Sequence, residues 1–202
     1  LFLFFERPAT AAIHLFLLRG QRELGKKDGI LTVVILDRPR HAELIREVRE
    51  AGARIKLITD GDVAGAISTA LPDTGVDLLM GVGGAPEAVI TAAAMKCLGG
   101  ELQTKLSVRN EEDEARADEA GFDDFDRVYS SEDLAHGDSL IFAATGITDG
   151  DMLQGVRFYG PKATTESIVM RMLTGTVRRI RTTHDLSRKT LRSFRAGQEM
   201  SL

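Results

Sequence analysis

The sequence predicts an α/β fold: a doubly wound, mostly parallel sheet followed by a C-terminal β-hairpin. Three observations predict it. Short apolar runs rich in β-branched residues alternate with helical segments across residues 30–98, joined by short links. The third run ends in a glycine turn that opens an alanine-rich helix. After Gly100 the alternation stops, and two apolar segments flank a Thr-Gly turn near the end.

Taken in order, residues 31–36 are a run rich in β-branched residues, the mark of a strand buried on both faces. Helical spacing of Leu44, Ile45 and Val48 predicts a helix over 40–51, stopped by Gly52. Residues 54–58 and 63–71 repeat the unit, the helix ending before Pro72, and residues 76–80 and 85–98 repeat it again. Asn110 is placed to cap a strongly charged, solvated helix over 110–120, which Gly121 ends. Residues 139–145 read as a fourth strand of the sheet. Residues 164–172 and 176–182 read as two strands around Thr174-Gly175, the second made basic by Arg178, Arg179 and Arg181 on a solvated face.

Residues 1–28 stand apart from this rhythm. The chain begins with Leu, which suits a fragment or a processed product. An apolar run over 1–5 is broken by Glu6-Arg7-Pro8 and resumes over 11–18. Without a basic flank, and broken this early, the segment reads as neither signal peptide nor membrane anchor. It is expected to be a buried helix or an ill-fitting extension.

Bulk properties narrow the function classes. The net charge of −4 provides no basic surplus for a nucleic-acid partner. A single cysteine, Cys97, cannot form an internal disulfide; it fits a reducing, cytoplasmic setting and reads as a small buried hydrophobe. No P-loop signature and no Gly-x-Ser-x-Gly elbow occurs, and Pro86 interrupts the glycine cluster where a dinucleotide fingerprint would continue. The four histidines are scattered, and His41, following Arg40 at a strand end, has two readings, an anion contact or, more commonly for such a place, a surface residue at a helix start.

Three polar loops remain, each at the carboxyl end of a predicted strand, where open α/β sheets gather ligands. They carry Arg38-Pro39-Arg40, Asp60-Gly61-Asp62, and the turn from Gly81 through Gly84 to Glu87. A strand ending in bare backbone before a helix N-terminus suits phosphate. Arginine's planar fork suits a phosphate dianion, and Pro39 stiffens that loop. Glu87 would repel a phosphate unless a cation lay between them, and hard carboxylate oxygens favour magnesium or manganese. Asp60 and Asp62 have two readings, as members of such a site or as caps of the following helix. The pentapeptide Ile-Thr-Asp-Gly-Asp occurs at 58–62 and again at 147–151, and the second copy reads as a turn.

Leu-Asp-Arg-Pro-Arg-His at 36–41, Ala-Gly-Ala-Arg-Ile-Lys-Leu-Ile-Thr-Asp-Gly-Asp-Val-Ala at 51–64 and Gly-Val-Gly-Gly-Ala-Pro-Glu at 81–87 resemble class II fructose-1,6-bisphosphatase. So do residues 141–151 and Ala-Thr-Thr-Glu-Ser at 163–167. The likeness runs from about Gly29 to Lys189, so 29–202 is expected to be the family's C-terminal α/β domain, sugar-phosphatase-like in fold. The resemblance implies hydrolysis of the 1-phosphate of fructose 1,6-bisphosphate to fructose 6-phosphate, with Mn2+ or Mg2+, in gluconeogenesis. It implies substrate contacts at Arg38, Pro39, Arg40, Asp60, Gly61, Asp62 and Gly84, and a metal carboxylate at Glu87. Some phototroph members also hydrolyse sedoheptulose 1,7-bisphosphate, and members are commonly dimers or tetramers. The other metal carboxylates and the water-orienting loop belong to an N-terminal half that this sequence lacks, so the chain alone is expected to have little or no phosphatase activity. A sugar-phosphate-binding remnant without catalysis is the alternative.

Overall fold

In the computed structural model of the chain, residues 2–3, 30–108, 110–122 and 124–188 are described. The first sheet contains β1 (Phe2–Leu3), β2 (Thr32–Leu36), β3 (Arg54–Ile58), β4 (Leu78–Met80), β5 (Leu102–Lys105) and β6 (Val128–Ser130), in the order β3-β2-β4-β1-β5-β6. All pairings are parallel except that of β5 with β6. Phe2–Leu3 is therefore a strand lying between β4 and β5, which corrects the helical reading for these two residues. The rest of the N-terminal reading lies outside the described residues.

Helix α1 (Ala42–Glu50) covers one face of this sheet, burying Ile45 and Val48 against Val33, Ile35, Leu78 and Met80. Helices α2 (Asp62–Ala70) and α3 (Ala85–Leu98) cover the other, through Ala66, Ala92 and Met95 against Val34, Leu79 and Leu102. That division has a topological consequence. Adjacent strands β2 and β4 send their chains to opposite faces, so a crevice opens between the loops that leave them.

A second sheet was not foreseen as separate. Strand β7 (Ile141–Thr145), expected in the parallel sheet, instead pairs antiparallel with β9 (Lys162–Arg171). Strands β8 (Arg157–Tyr159) and β10 (Thr176–Asp185) also pair antiparallel with β9, and the predicted hairpin is β9–β10. One face of this sheet packs Phe142, Ile168 and Met170 on Ile67 of α2 and on Ala94 and Cys97 of α3. The opposite face carries the exposed side chains of Ile141, Phe158 and Ile180.

Helix α3 is thus held between two sheets. Ala92 and Met95 face one and Ala94 and Cys97 the other, which explains a helix that is apolar around its circumference and rich in alanine. Its one deeply placed cation, Lys96, donates to Glu132 Oε2 at 2.7 Å and to the carbonyls of Ala135 and Gly137 at 2.9 Å. Three donors meet three acceptors, so the ammonium is fully satisfied and ties the helix to α5 (Ser131–Leu134) and the loop beyond it. Helix α4 (Glu111–Glu119) has the expected cap, Asn110 Oδ1 accepting from the Asp113 N–H at 2.9 Å.

Candidate functional site

The crevice between β2 and β4 is bridged by side chains. After Leu36 the chain enters a short 3-10 turn, Pro39–His41, in which proline sets the backbone at the start. Arg40 reaches across the crevice, its Nε and Nη2 donating to the carbonyl of Val82 at 3.1 and 2.9 Å. Arg38 stays exposed, with a single long contact of 3.5 Å to the Asp37 carbonyl among the described residues. The next residue departs from expectation. His41 is 1% exposed and lies inside the fold, not on the surface. Its Nδ1 lies 2.8 Å from the Leu36 carbonyl, and its Nε2 accepts the Val82 N–H at 2.9 Å.

The second loop leaves β3 and enters α2. Gly61 takes the N-cap position with φ of 80°, a left-handed conformation that costs glycine nothing and other residues about 1–2 kcal/mol. This turn makes Asp62 the first helical residue, where its Oδ1 accepts the Val63 N–H at 3.0 Å. The capping reading thus holds in part for Asp62, while Asp60 is exposed in the bend before it. The other Asp62 oxygen lies against Gly83: a Cβ at that glycine would meet Oδ2 at 2.6 Å.

The third loop is the glycine turn. Gly84 is the N-cap of α3, with Pro86 in the first turn, and no side chain caps the first backbone N–H groups. Glu87 folds back so far that its carboxylate occupies the space a Cβ on Gly84 would need. Arg40, Asp62 and Glu87 therefore meet one short turn, at Val82, Gly83 and Gly84 respectively. Bare glycines let the two acids approach the backbone, and the helix dipole favours negative charge there. Asp62 and Glu87 are half-buried, whereas Arg38, Pro39, Arg40, Asp60, Gly61 and Gly84 are exposed.

Chemically, this arrangement offers guanidinium donors, free amides and two carboxylates around one crevice. No group of three or more His, Cys, Asp or Glu side chains is clustered for a metal among the described residues. A hard divalent cation takes about six oxygens, so Glu87 fits as one ligand and these residues do not make a metal centre by themselves.

Beside the turn opens a cavity of about 650 Å³ that shares Arg40 and residues 82–84 with the crevice. Its far wall includes Lys105, Arg116 and Tyr129, which sequence reasoning missed. The available signal was Leu-Gln-Thr-Lys at β5, and four residues are too few to separate a strand from a loop. Lys105 donates to Asp126 at 2.7 Å, and that bond holds the Asp126 carboxyl below the usual carboxylate range. Among the described residues, Arg38, Asp60, Asp62 and Glu87 do not line this cavity.

Similarity to known proteins identifies the family. A family model described as bacterial fructose-1,6-bisphosphatase, glpX-encoded, matches residues 10–184. Proteins named D-fructose 1,6-bisphosphatase class 2/sedoheptulose 1,7-bisphosphatase from Synechococcus sp. strains JA-3-3Ab and JA-2-3B'a(2-13) are 48% identical over 166 residues. The protein of that name from Crocosphaera subtropica is also 48% identical, and each match covers 76% of this chain and 48% of the relative. The chain thus spans about half the length of the curated relatives it matches. No helix among the described residues is long and apolar enough to cross a membrane. On the strength of the family match, this chain belongs to the glpX-encoded bacterial fructose-1,6-bisphosphatase family.

Proposed function

We propose that the chain forms the substrate-binding half of a cytoplasmic fructose-1,6-bisphosphatase, a phosphoric monoester hydrolase of gluconeogenesis that works as a homo-oligomer. The reaction is hydrolysis of the 1-phosphate of fructose 1,6-bisphosphate: water bonds to phosphorus as the bond to the C1 oxygen breaks, giving fructose 6-phosphate and phosphate. The observation that carries the proposal is the meeting of Arg40, Asp62 and Glu87 on one glycine turn at the crevice between β2 and β4. In this reading Arg38 and Arg40 hold a phosphate, the Pro39 loop keeps them apart, and Asp60, Gly61 and Asp62 receive sugar hydroxyls. The Gly84 end of α3 presents backbone amides to the substrate. Glu87 contributes one ligand to Mn2+ or Mg2+, which when bound supplies Lewis-acid polarisation of the phosphoryl group. The relatives' printed name extends the substrate class to sedoheptulose 1,7-bisphosphate.

One carboxylate does not hold a divalent cation against its own hydration. The absence of a three-ligand cluster among the described residues favours a corollary: a polypeptide of these 202 residues alone binds sugar bisphosphate without hydrolysing it. Calorimetry with each bisphosphate, with and without manganese, is paired with a phosphate-release assay. Binding without turnover is expected. Turnover comparable to a full-length relative refutes the corollary, and no binding of either sugar refutes the site. In a full-length relative, Glu87→Gln is expected to raise the manganese concentration needed for activity; an unchanged requirement removes Glu87 from the metal site.

A further inference from the structure

Two consecutive side chains grip both polar groups of a single residue: Arg40 holds the Val82 carbonyl and His41 holds the Val82 N–H. Since Nε2 of His41 accepts, the ring proton sits on Nδ1 and is donated to the Leu36 carbonyl. The imidazole is therefore in one neutral tautomer, bonded at one end to the last residue of β2 and at the other to the glycine turn after β4. It spans the crevice from beneath. Gly81 is part of the device, because a Cβ there would meet ring atoms Cε1 and Nε2 at 3.3 Å. No hydrogen bond of the ring is left for a ligand, and at 1% exposure it does not reach one.

We propose that His41 is a positioning residue of the anion site, clasping the Arg40 loop to the glycine turn in the Nδ1–H tautomer. With Val82 held, two of Arg40's five N–H donors stay on its carbonyl and three remain directed by that contact toward a ligand. The clasp also fixes where the amides at the start of α3 stand relative to the guanidinium. A bound phosphorylated sugar meets a preset spacing, so affinity depends on a side chain that never touches it. The part concerning affinity rests on the sugar-phosphate reading above; the clasp itself does not.

Two substitutions separate positioning from packing, because both remove the ring but keep opposite halves of its bonding. His41→Asn retains a donor near the Nδ1 place, toward the Leu36 carbonyl. His41→Gln retains an acceptor near the Nε2 place, toward the Val82 N–H. Hydrogen exchange at the Val82 amide, denaturant stability and calorimetry with fructose 1,6-bisphosphate are measured on the full chain. The Asn variant is expected to lose Val82 protection and roughly tenfold in affinity, as the Val82 N–H loses its acceptor. The Gln variant is expected to recover most of both at similar stability. Gly81→Ala crowds the ring and also strains a backbone at φ of 156°, so it is expected to resemble the Asn variant in Val82 protection and affinity with an added loss of stability. Should the histidine variants not fold, imidazole nitrogen NMR on the wild type decides the tautomer, and a proton on Nε2 overturns the proposal. Equal Val82 protection and affinity in all variants also overturns it while leaving the sugar site intact. Val82 protection that depends on His41 in a wild-type chain that binds no sugar bisphosphate keeps the clasp and overturns the substrate reading.

Discussion

The pentapeptide Ile-Thr-Asp-Gly-Asp occupies two places in this molecule and does different things in each. At Ile58–Asp62 it leaves a parallel strand and runs directly into α2. Gly61 turns left-handed, and Asp62 arrives at an open helix end beside Gly83. At 147–151 it leaves the antiparallel strand β7 and folds into a loop that uses up its own acids. Asp149 Oδ1 accepts the Gly155 N–H at 2.9 Å and faces Arg157 Nη2 at 3.2 Å. Asp151 pairs with Lys56, which lies on the strand just before the first copy, and Gly150 takes no left-handed turn. Five identical residues thus give a half-buried acid set against the glycine turn where a helix follows, and exposed acids paired within their loop and with Lys56 where none does. The element that comes next decides the outcome, because a helix start leaves its first amides without partners in the helix.

The sharpest way to break this contrast is through glycines. A methyl on Gly146 would strike the Gln154 carbonyl, and one on Gly155 would approach the Thr148 carbonyl carbon at 2.6 Å, so backbone must move in either case. Gly146→Ala and Gly155→Ala are expected to cost about 1–3 kcal/mol in urea denaturation. At Gly83 and Gly84 the obstructing atoms are the ends of the Asp62 and Glu87 side chains, which can swing away. Gly84→Ala is expected to leave the urea midpoint nearly unchanged while weakening sugar bisphosphate binding; a stability loss as large as that at Gly146 would erase the distinction.

A second comparison sets the acids against each other. Asp62→Ala is expected to weaken fructose 1,6-bisphosphate binding about tenfold, or ~1.4 kcal/mol, whereas Asp149→Ala leaves it within about twofold. Calorimetry giving equal losses at both would mean that the second loop also belongs to the site. The smallest effect is expected at the exposed Lys56–Asp151 pair. Asp151→Ala should shift stability by less than about 1 kcal/mol, with that difference shrinking further in high salt.

Much of the parallel layer was readable before any coordinates. Strand 54–58 and helix 85–98 fall where the apolar runs and glycines put them, and Asn110 caps the helix it precedes. The hairpin around Gly175 was visible from its Thr-Gly turn, Gly175 taking φ of 56°. The four-residue strand β5 was not legible, because too few positions repeat to reveal a period. Segment 139–145 was recognised as a strand but assigned to the wrong sheet, since an apolar run does not state its partner. His41 looked like a surface residue because it follows Arg40 at a strand end where a helix starts, and burial at such a place depends on what passes overhead.

The sequence by itself determined the α/β alternation, the three polar loops at strand ends and, through its motifs, the family. These are local properties, set by periodicity, turn chemistry and helix capping within a few residues of chain. Only the tertiary structure decided that there are two sheets with α2 and α3 between them, and that Arg40, Asp62 and Glu87 converge on one turn. It alone decided that His41 lies beneath that turn and that the acids of the second pentapeptide are paired. Such outcomes depend on which strands become neighbours, and strand pairing joins residues about forty positions apart through backbone bonds that look alike whatever the local side-chain pattern.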